Sequence, residues 1–133
     1  MNETGYSITR HLPETGFDAA LERVTELLME EGFGVLTEID VKATLKKKLD
    51  VDFRRYVILG ACNPQLAHRA LEAEPDIGVL LPCNVVVAER DGGGSVVSAM
   101  DPVAAFRLIS NPDVQPVADD VRQRLERVLN RLS

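Results

Sequence analysis

Residues 56–102 read YVILGACNPQLAHRALEAEPDIGVLLPCNVVVAERDGGGSVVSAMDP, and two similar motifs punctuate them. Residues 62–64 read CNP at the end of one apolar run, and residues 82–84 read PCN at the start of another. Runs this rich in valine, isoleucine and leucine are typical of strands in the middle of a sheet. The stretch therefore predicts two buried strands whose ends each carry a cysteine–asparagine pair.

Capping and turn residues divide this stretch into elements. Asn63 can cap a helix that has Pro64 at its first position, and Asp101 precedes a proline in the same way. The run Asp91-Gly-Gly-Gly lies between two strand-like segments and lacks the Lys-Ser/Thr of a phosphate-binding loop. It therefore predicts a hairpin turn.

The residue patterns that precede this stretch predict two strands and a helix. Alternation of side-chain character favours strands over residues 6–11 and 33–40. Apolar residues at helical spacing from Phe17 predict an amphipathic helix between these strands. Thr15, with an aspartate three residues later, resembles a capping box, and Gly32 is suited to the position just past the helix end.

The remaining segments predict two more amphipathic helices. A short one follows Asp40 as its cap, with Val41, Leu45 and Leu49 on one stripe. The last helix carries an apolar stripe that consists of Val117, Val121, Leu125, Val128 and Leu132. This stripe either packs on the sheet or pairs with the same stripe of another copy across a dimer.

The element order β-α-β-α-β-α-β-β-α-α predicts the fold class. It favours an α+β fold with one mostly antiparallel or mixed sheet and helices packed on one face. The chain has 133 residues and no low-complexity tract, so residues 1–133 are expected to form a single domain.

Composition narrows the range of functions. A net charge of -6 opposes binding to nucleic acid, because affinity for phosphates comes from clustered Lys and Arg. Aromatic residues make up 5% of the chain and tryptophan is absent, which argues against a stacking surface. No apolar stretch is long enough for a membrane span, and no secretory leader is evident. We therefore expect a cytoplasmic protein with two reduced cysteines.

The one basic patch in this acidic chain has two interpretations. It could attract an anionic partner, or it could be a solvated helix face neutralised by nearby aspartates. The patch comprises Lys42, Lys46, Lys47, Lys48, Arg54 and Arg55.

The cysteine–asparagine pairs are the candidate site, formed by Cys62, Asn63, Cys83 and Asn84. Cys62 lies just before a predicted helix, where the helix dipole would favour its thiolate. The two cysteines come close if residues 77–82 run extended, because such a segment can undo the rise of the preceding helix. They lie far apart if the second strand begins at the opposite end, and the sequence is compatible with both arrangements.

Several kinds of site are compatible with these residues. A thiol pair that cycles with a disulfide is one, and a cysteine nucleophile is another, although His68 is not obviously placed to act as its base. Metal binding is disfavoured because no Cys-x-x-Cys spacing is present, so no metal or other cofactor is expected. In the purely structural interpretation, the cysteines are small buried apolar residues and the asparagines cap or turn the chain.

The motifs resemble those of domain-of-unknown-function family 302. The resemblance is carried by residues 60–64 (GACNP), by Ala67 and residues 70–71 in the helix after them, and by residues 78–85 (GVLLPCNV). It implies a small bacterial or archaeal α+β domain whose members look like homodimers, and it implies no established activity.

These observations lead to two functional hypotheses. The first is a dimeric small-ligand-binding or regulatory domain without catalytic activity, whose pocket lies near the strand ends that carry the two cysteine–asparagine pairs. The alternative is a thiol-dependent enzyme or redox sensor that uses Cys62 with Cys83.

Overall fold

The structure is a computed structural model that describes residue 1 and residues 3–132. Its strands are β1 (Ser7–Leu12), β2 (Gly34–Asp40), β3 (Tyr56–Cys62), β4 (Cys83–Glu89) and β5 (Ser95–Met100). Its α-helices are α1 (Phe17–Glu30), α2 (Val41–Leu49), α3 (Pro64–Ala73), α4 (Pro102–Ala105) and α5 (Gln115–Asn130). Short 3-10 helices lie at Pro75–Leu80, Phe106–Leu108 and Pro112–Val114.

The strands form one antiparallel sheet in the order β1-β5-β4-β3-β2. The predicted α+β class and the antiparallel sheet are confirmed. β3, β4 and β5 are central, which agrees with their rich content of branched apolar residues. β1 and β2 are the edge strands.

The two faces of the sheet differ in what covers them. Strand alternation directs Leu59, Val85 and Val97 into one hydrophobic core, to which α1, α3 and α5 contribute their buried residues. The opposite face, here called the open face, is defined by Tyr56, Ile58, Asn84, Val86 and Ser98. Helices α1, α3 and α5 thus pack on one face, as predicted.

Local capping explains where three helices begin. Asp40, Asn63 and Asp101 each accept a backbone N–H of the following first turn, at 2.9, 3.2 and 2.9 Å respectively. Gly32, with a φ of 86°, lies just past α1, where a left-handed conformation favours glycine. These four sequence predictions are confirmed.

The glycine run forms the predicted hairpin between β4 and β5. All three of its glycines have positive φ, between 77° and 107°. Gly94 also packs so closely on Leu12 and Pro13 that a Cβ at this position would overlap their backbone atoms. The run is thus a turn packed against the end of β1.

One local prediction is wrong. Gly16, not Thr15, precedes α1, and its cap makes no side-chain hydrogen bond. Thr15 is held in the turn between β1 and α1, where its carbonyl accepts the Ser95 hydroxyl at 2.8 Å. Of the arrangements left open for residues 77–82, the extended one is not adopted, because a 3-10 helix occupies Pro75–Leu80.

The stripe of α5 is buried within its own chain. All five of its predicted residues lie in the core, and α5 packs against α1, α3, α4 and β1. Arg127 and Glu31 add an ion pair between α5 and the end of α1, at 2.8 Å. Pairing of this stripe across a dimer is therefore ruled out, because no apolar surface of it is left exposed. None of the helices in the described ranges has the length and apolarity that a membrane crossing requires.

Candidate functional site

Antiparallel pairing of β3 with β4 brings the two cysteine–asparagine motifs together. Ala61 pairs with Cys83, and Gly60 pairs with Asn84. Cys62 is therefore one residue beyond the partner of Cys83. The chain leaves β3 through α3, turns in the following 3-10 helix and returns directly into β4, so no extended segment is needed to bring the motifs together.

The core side of this meeting point is closely packed. A cavity of about 30 Å³ remains there, and its lining includes Cys62, Asn63, Leu66, Cys83 and Phe106. That volume is enough for a water molecule. The corner formed by these residues is therefore far smaller than a typical small-molecule site.

Asn63 has a structural role in this corner. Its Oδ1 accepts the backbone N–H of Leu66 at 3.2 Å and so caps α3. Its amide nitrogen also lies against Gly32, where an added Cβ would come within 2.9 Å of it. Asn63 therefore connects the start of α3 with the end of α1.

Burial counts against activation of either thiol. It raises the pKa of the Cys62 thiol, which opposes the expectation of a helix-stabilised thiolate. The first turn of α3 has few free backbone N–H groups that could stabilise a thiolate. Pro64 lacks an N–H, and the N–H of Leu66 already donates to Asn63. Burial, and to a smaller extent the neighbouring Cys62, raises the pKa of Cys83 to about 12.

We expect alkylation of the native protein to be slow and confined to Cys62. The thiolate is the reactive form, and with a pKa of about 12 only roughly one Cys83 in 10,000 is ionised at pH 8. Reactivity should rise with pH, and Cys83 should react only after unfolding in urea. Iodoacetamide labelling followed by mass spectrometry measures this, and a Cys62→Ser variant assigns the site. Rapid labelling of both thiols at neutral pH would instead favour the thiol-enzyme hypothesis.

His68 does not serve the cysteines as a base. It lies on the exposed side of α3, where its Nε2 is 2.7 Å from Glu72 Oε1. The helical spacing of these two residues accounts for that contact. A general base must be within hydrogen-bond reach of its nucleophile, and His68 has a surface partner instead.

Asn84 lies on the other side of the sheet, so the four candidate residues do not converge on one pocket. Successive residues of a strand point to opposite faces, and Cys83 faces the core while Asn84 is exposed on the open face. There it lines a groove of about 520 Å³, here called the open-face groove. The groove is lined by Met1, Thr4, Tyr6, Ser7, Tyr56, Asn84, Val86, Ser98, Ala99 and Met100.

Several residues of this groove were not predicted as site residues. Tyr6 and Ser7 come from the start of the chain, Tyr56 from β3 and Ser98 from β5. Alternation along β4 was the available signal, since it assigns Asn84 and Val86 to the face opposite Cys83. Which parts of β1, β3 and β5 adjoin them depends on strand order and register, which the local sequence does not reveal.

Three of the six residues of the basic patch pair with acidic neighbours. Lys46 Nζ is 2.9 Å from Asp50, and Arg54 is 3.0 Å from Asp91. Arg55 forms a two-pronged ion pair with Asp18 on α1. These contacts favour the interpretation of the patch as a solvated, self-compensated surface.

The fold and the site together define an α+β protein with a five-stranded antiparallel sheet, one helix-covered face and one grooved open face. The chain belongs to DUF302, because the family model described as "Domain of unknown function DUF302" matches residues 8–132. It is similar to a crystal structure of an uncharacterized conserved DUF302 protein from Bacillus stearothermophilus, with 34% sequence identity and a TM-score of 0.87. That match covers 96% of this chain and 98% of the other. No curated protein matches the chain.

Proposed function

We propose that the protein is a dimeric, small-ligand-binding or regulatory domain without catalytic activity, and that its ligand occupies the open-face groove. The observation that carries the proposal is the groove itself. Its volume of about 520 Å³ falls within the range typical of small-molecule sites. Apolar residues such as Val86 and Met100 line it together with hydroxyl and amide groups, which is the usual composition of such sites.

The polar groups of the groove support recognition by hydrogen bonds. Ser98 and Thr9 share a hydrogen bond of 2.8 Å, which holds one hydroxyl in place. The side chain of Asn84 is exposed, and no group in the described residues hydrogen-bonds to its amide. Its donors and its acceptor are therefore available to a ligand.

The scarcity of acid–base groups in the groove supports a binding role over a catalytic one. Within the described part of the chain no Asp, Glu, His, Lys or Cys side chain lines the groove, and its titratable side chains are Tyr6 and Tyr56, which serve as general acids or bases less often than histidine does. General acid–base catalysis needs a titratable group within hydrogen-bond reach of the substrate. The thiol-enzyme alternative remains a hypothesis, and the raised pKa of both cysteines counts against it.

Replacement of Asn84 by leucine is expected to weaken ligand binding about tenfold, because it removes hydrogen bonds of about 1–1.5 kcal/mol while it conserves volume. A fragment library can be screened against both proteins by saturation-transfer NMR, with native mass spectrometry of the freshly purified protein to detect a retained ligand. Asn130→Leu, an exposed asparagine at the end of α5, is the matched control. Fragments that bind both variants equally, or no binding at all, would remove the proposal.

The dimer in this proposal uses an apolar surface near the β2 edge, and its partner is a second copy of the chain. This β2–α2 surface comprises Leu36, Ile39, Leu49, Val51 and Phe53. They are five of the eleven exposed large apolar side chains among the described residues, although their segment is only 18 residues long. Such a concentration is typical of an interaction site.

Strand geometry and charge support a second copy as the partner. β2 is an edge strand whose free backbone groups can pair with another strand. A two-fold axis places two copies of β2 side by side in antiparallel orientation, so the contact is self-complementary. Exposed Glu38 and Asp40 on β2 can then face exposed Lys47 and Lys48 of the partner's α2, which favours this pairing.

Lysine at both Leu36 and Leu49 is expected to convert the dimer to a monomer. Each side chain is about two-thirds exposed in the single chain, so the double variant should fold normally while burial of its charges in an interface is unfavourable. Size-exclusion chromatography with light scattering gives the mass. Val79→Lys is the control, because Val79 is 86% exposed outside the β2–α2 surface. A monomeric wild type, or a dimeric double variant, would contradict the proposed interface.

The proposal also assigns the protein to the bacterial cytoplasm. Both cysteines are free, which suits a reducing compartment. The similar protein from Bacillus stearothermophilus supports a bacterial setting. Fractionation of the source cells, followed by immunoblotting, tests this assignment, and recovery in a membrane or extracellular fraction would oppose it.

A further inference from the structure

We propose that the open-face groove selects neutral, planar ligands that carry a carboxamide or lactam group. This inference rests on the proposed function and specifies the chemical class of the ligand. It follows from three properties of the groove: the lack of charged side chains, the unengaged amide of Asn84 and the apolar lining beside that amide.

The first property is charge. The ten lining residues include no Asp, Glu, Lys, Arg or His, in a chain where 27% of residues are charged. A charged ligand that enters the groove would lose hydration without gaining an oppositely charged side chain. Burial of an unpaired charge is costly, whereas a neutral polar group needs only hydrogen bonds. The lining side chains thus offer no ion pair to a ligand of either sign, and the formal charge among the lining residues is that of the Met1 α-amino group.

The second property is the hydrogen-bonding pattern of Asn84. An asparagine amide presents an acceptor and a donor side by side. A ligand carboxamide or lactam presents the complementary donor and acceptor, so two hydrogen bonds can form at once. A carboxylate would set an oxygen against Oδ1, and an amidinium would set an N–H against Nδ2. Each charged isostere therefore mismatches one atom of Asn84.

The two serine hydroxyls of the groove hydrogen-bond to other hydroxyls and not to the amide of Asn84. Ser98 is hydrogen-bonded to Thr9 at 2.8 Å, and Ser7 to Thr4 at 2.6 Å. These pairs use hydrogen-bonding capacity within the protein and fix the hydroxyl positions. Asn84 is left as the lining amide with its full capacity free, which makes it the residue that determines specificity.

The third property is the shape of the lining. Val86 and Met100 provide apolar contacts, and the Tyr56 ring is fixed by an edge contact with Phe53, with ring centroids 6.1 Å apart. Aromatic and thioether groups pack well against planar rings. A planar ring bearing the amide can therefore lie against these side chains while its amide meets Asn84.

Three isosteric probes test this inference: benzamide, benzoate and benzamidine. They share one ring and differ in charge and hydrogen-bonding pattern. Millimolar dissociation constants are expected for molecules this small, and ligand-observed NMR titration measures them. Wild-type protein should bind benzamide about tenfold more tightly than either charged probe, a difference of about 1.4 kcal/mol.

An Asn84→Asp variant should reverse the preference. The new carboxylate accepts hydrogen bonds from an amidinium and forms an ion pair with it, so benzamidine should become the tightest probe. Asn130→Asp adds the same charge at an exposed position outside the groove and should leave the preference for benzamide unchanged.

The outcomes separate this inference from the proposed function. If benzoate or benzamidine binds the wild type as tightly as benzamide does, the neutral ligand class is overturned. The class is also overturned if no probe binds while other fragments bind in an Asn84-dependent manner, and in that case the groove still stands as a ligand site. If no molecule binds in an Asn84-dependent manner, the proposed function and this inference both fail.

Discussion

Phe106→Ala is expected to lower the free energy of unfolding by about 3–5 kcal/mol, the largest effect we predict for a single substitution. Phe106 is only 2% exposed and is the bulkiest of the fully buried side chains. Its removal deletes apolar burial and enlarges the small cavity beside Cys83. The loss should therefore include both a transfer and a cavity contribution.

Urea denaturation followed by far-UV circular dichroism measures this loss, since the chain has no tryptophan for fluorescence. Leu108→Ala is the matched control, two residues further along and 82% exposed. It should change the free energy of unfolding by less than about 0.5 kcal/mol. Equal losses for the two variants would show that the described packing around Phe106 is incorrect.

The same variant also tests the expected low reactivity of Cys83. Phe106 and Cys83 line the same cavity, so loss of the ring should admit water and lower the raised pKa of the thiol. We therefore expect faster alkylation of Cys83 in Phe106→Ala under conditions where the variant is folded. An unchanged rate would mean that other side chains account for the burial of Cys83.

Gly60→Ala is expected to destabilise the protein by about 1–3 kcal/mol through overpacking at the centre of the sheet. Gly60 is buried in β3, and a Cβ there would overlap Thr37 Oγ1 and come within 2.9 Å of the Pro82 ring. Proline is rigid and threonine is restricted about its first side-chain bond, so neither neighbour yields easily. The loss exceeds the usual gain from reduced flexibility of the unfolded chain.

A double-mutant cycle isolates the cause of this loss. Thr37→Ala removes the overlapping hydroxyl, so Gly60→Ala should cost less in the Thr37→Ala background, with a coupling of about 1 kcal/mol. Gly78→Ala is the control, because a Cβ at Gly78 has nothing within 4 Å. Additive losses in the cycle would locate the strain at Pro82 instead of Thr37.

Gly60 also connects stability with the proposed site. It pairs with Asn84 across β3 and β4, so a displacement of β3 at Gly60 is expected to move Asn84 as well. We attribute the presence of glycine at this position of the GACNP motif to the close packing of β3 between Thr37 and Pro82. That role differs from the turn roles of Gly32 and Gly94, which need positive φ.

Interactions within a few residues could be predicted from the sequence alone. The caps at Asp40, Asn63 and Asp101 each involve an oxygen and an N–H no more than three residues apart, so local order determines them. The glycine hairpin is local for the same reason. Thr15 is the instructive failure, because its carbonyl bonds to Ser95, a residue 80 positions away.

Local patterns were enough to predict the strands, the α-helices, the α+β class and the two cysteine–asparagine pairs, but they left open whether those pairs meet. Strand pairing brings them together, and long-range packing sets the surroundings of each side chain. Cys83 and Asn84 are adjacent in sequence, but the pleat of β4 directs them to opposite faces of the sheet. Phe106 packs beside Cys83 on the core face. On the open face, the register of four strands shapes the groove that Asn84 lines. The physical reason is that burial, cavity volume and the pKa of a thiol depend on groups distant along the chain, whereas caps and turns do not.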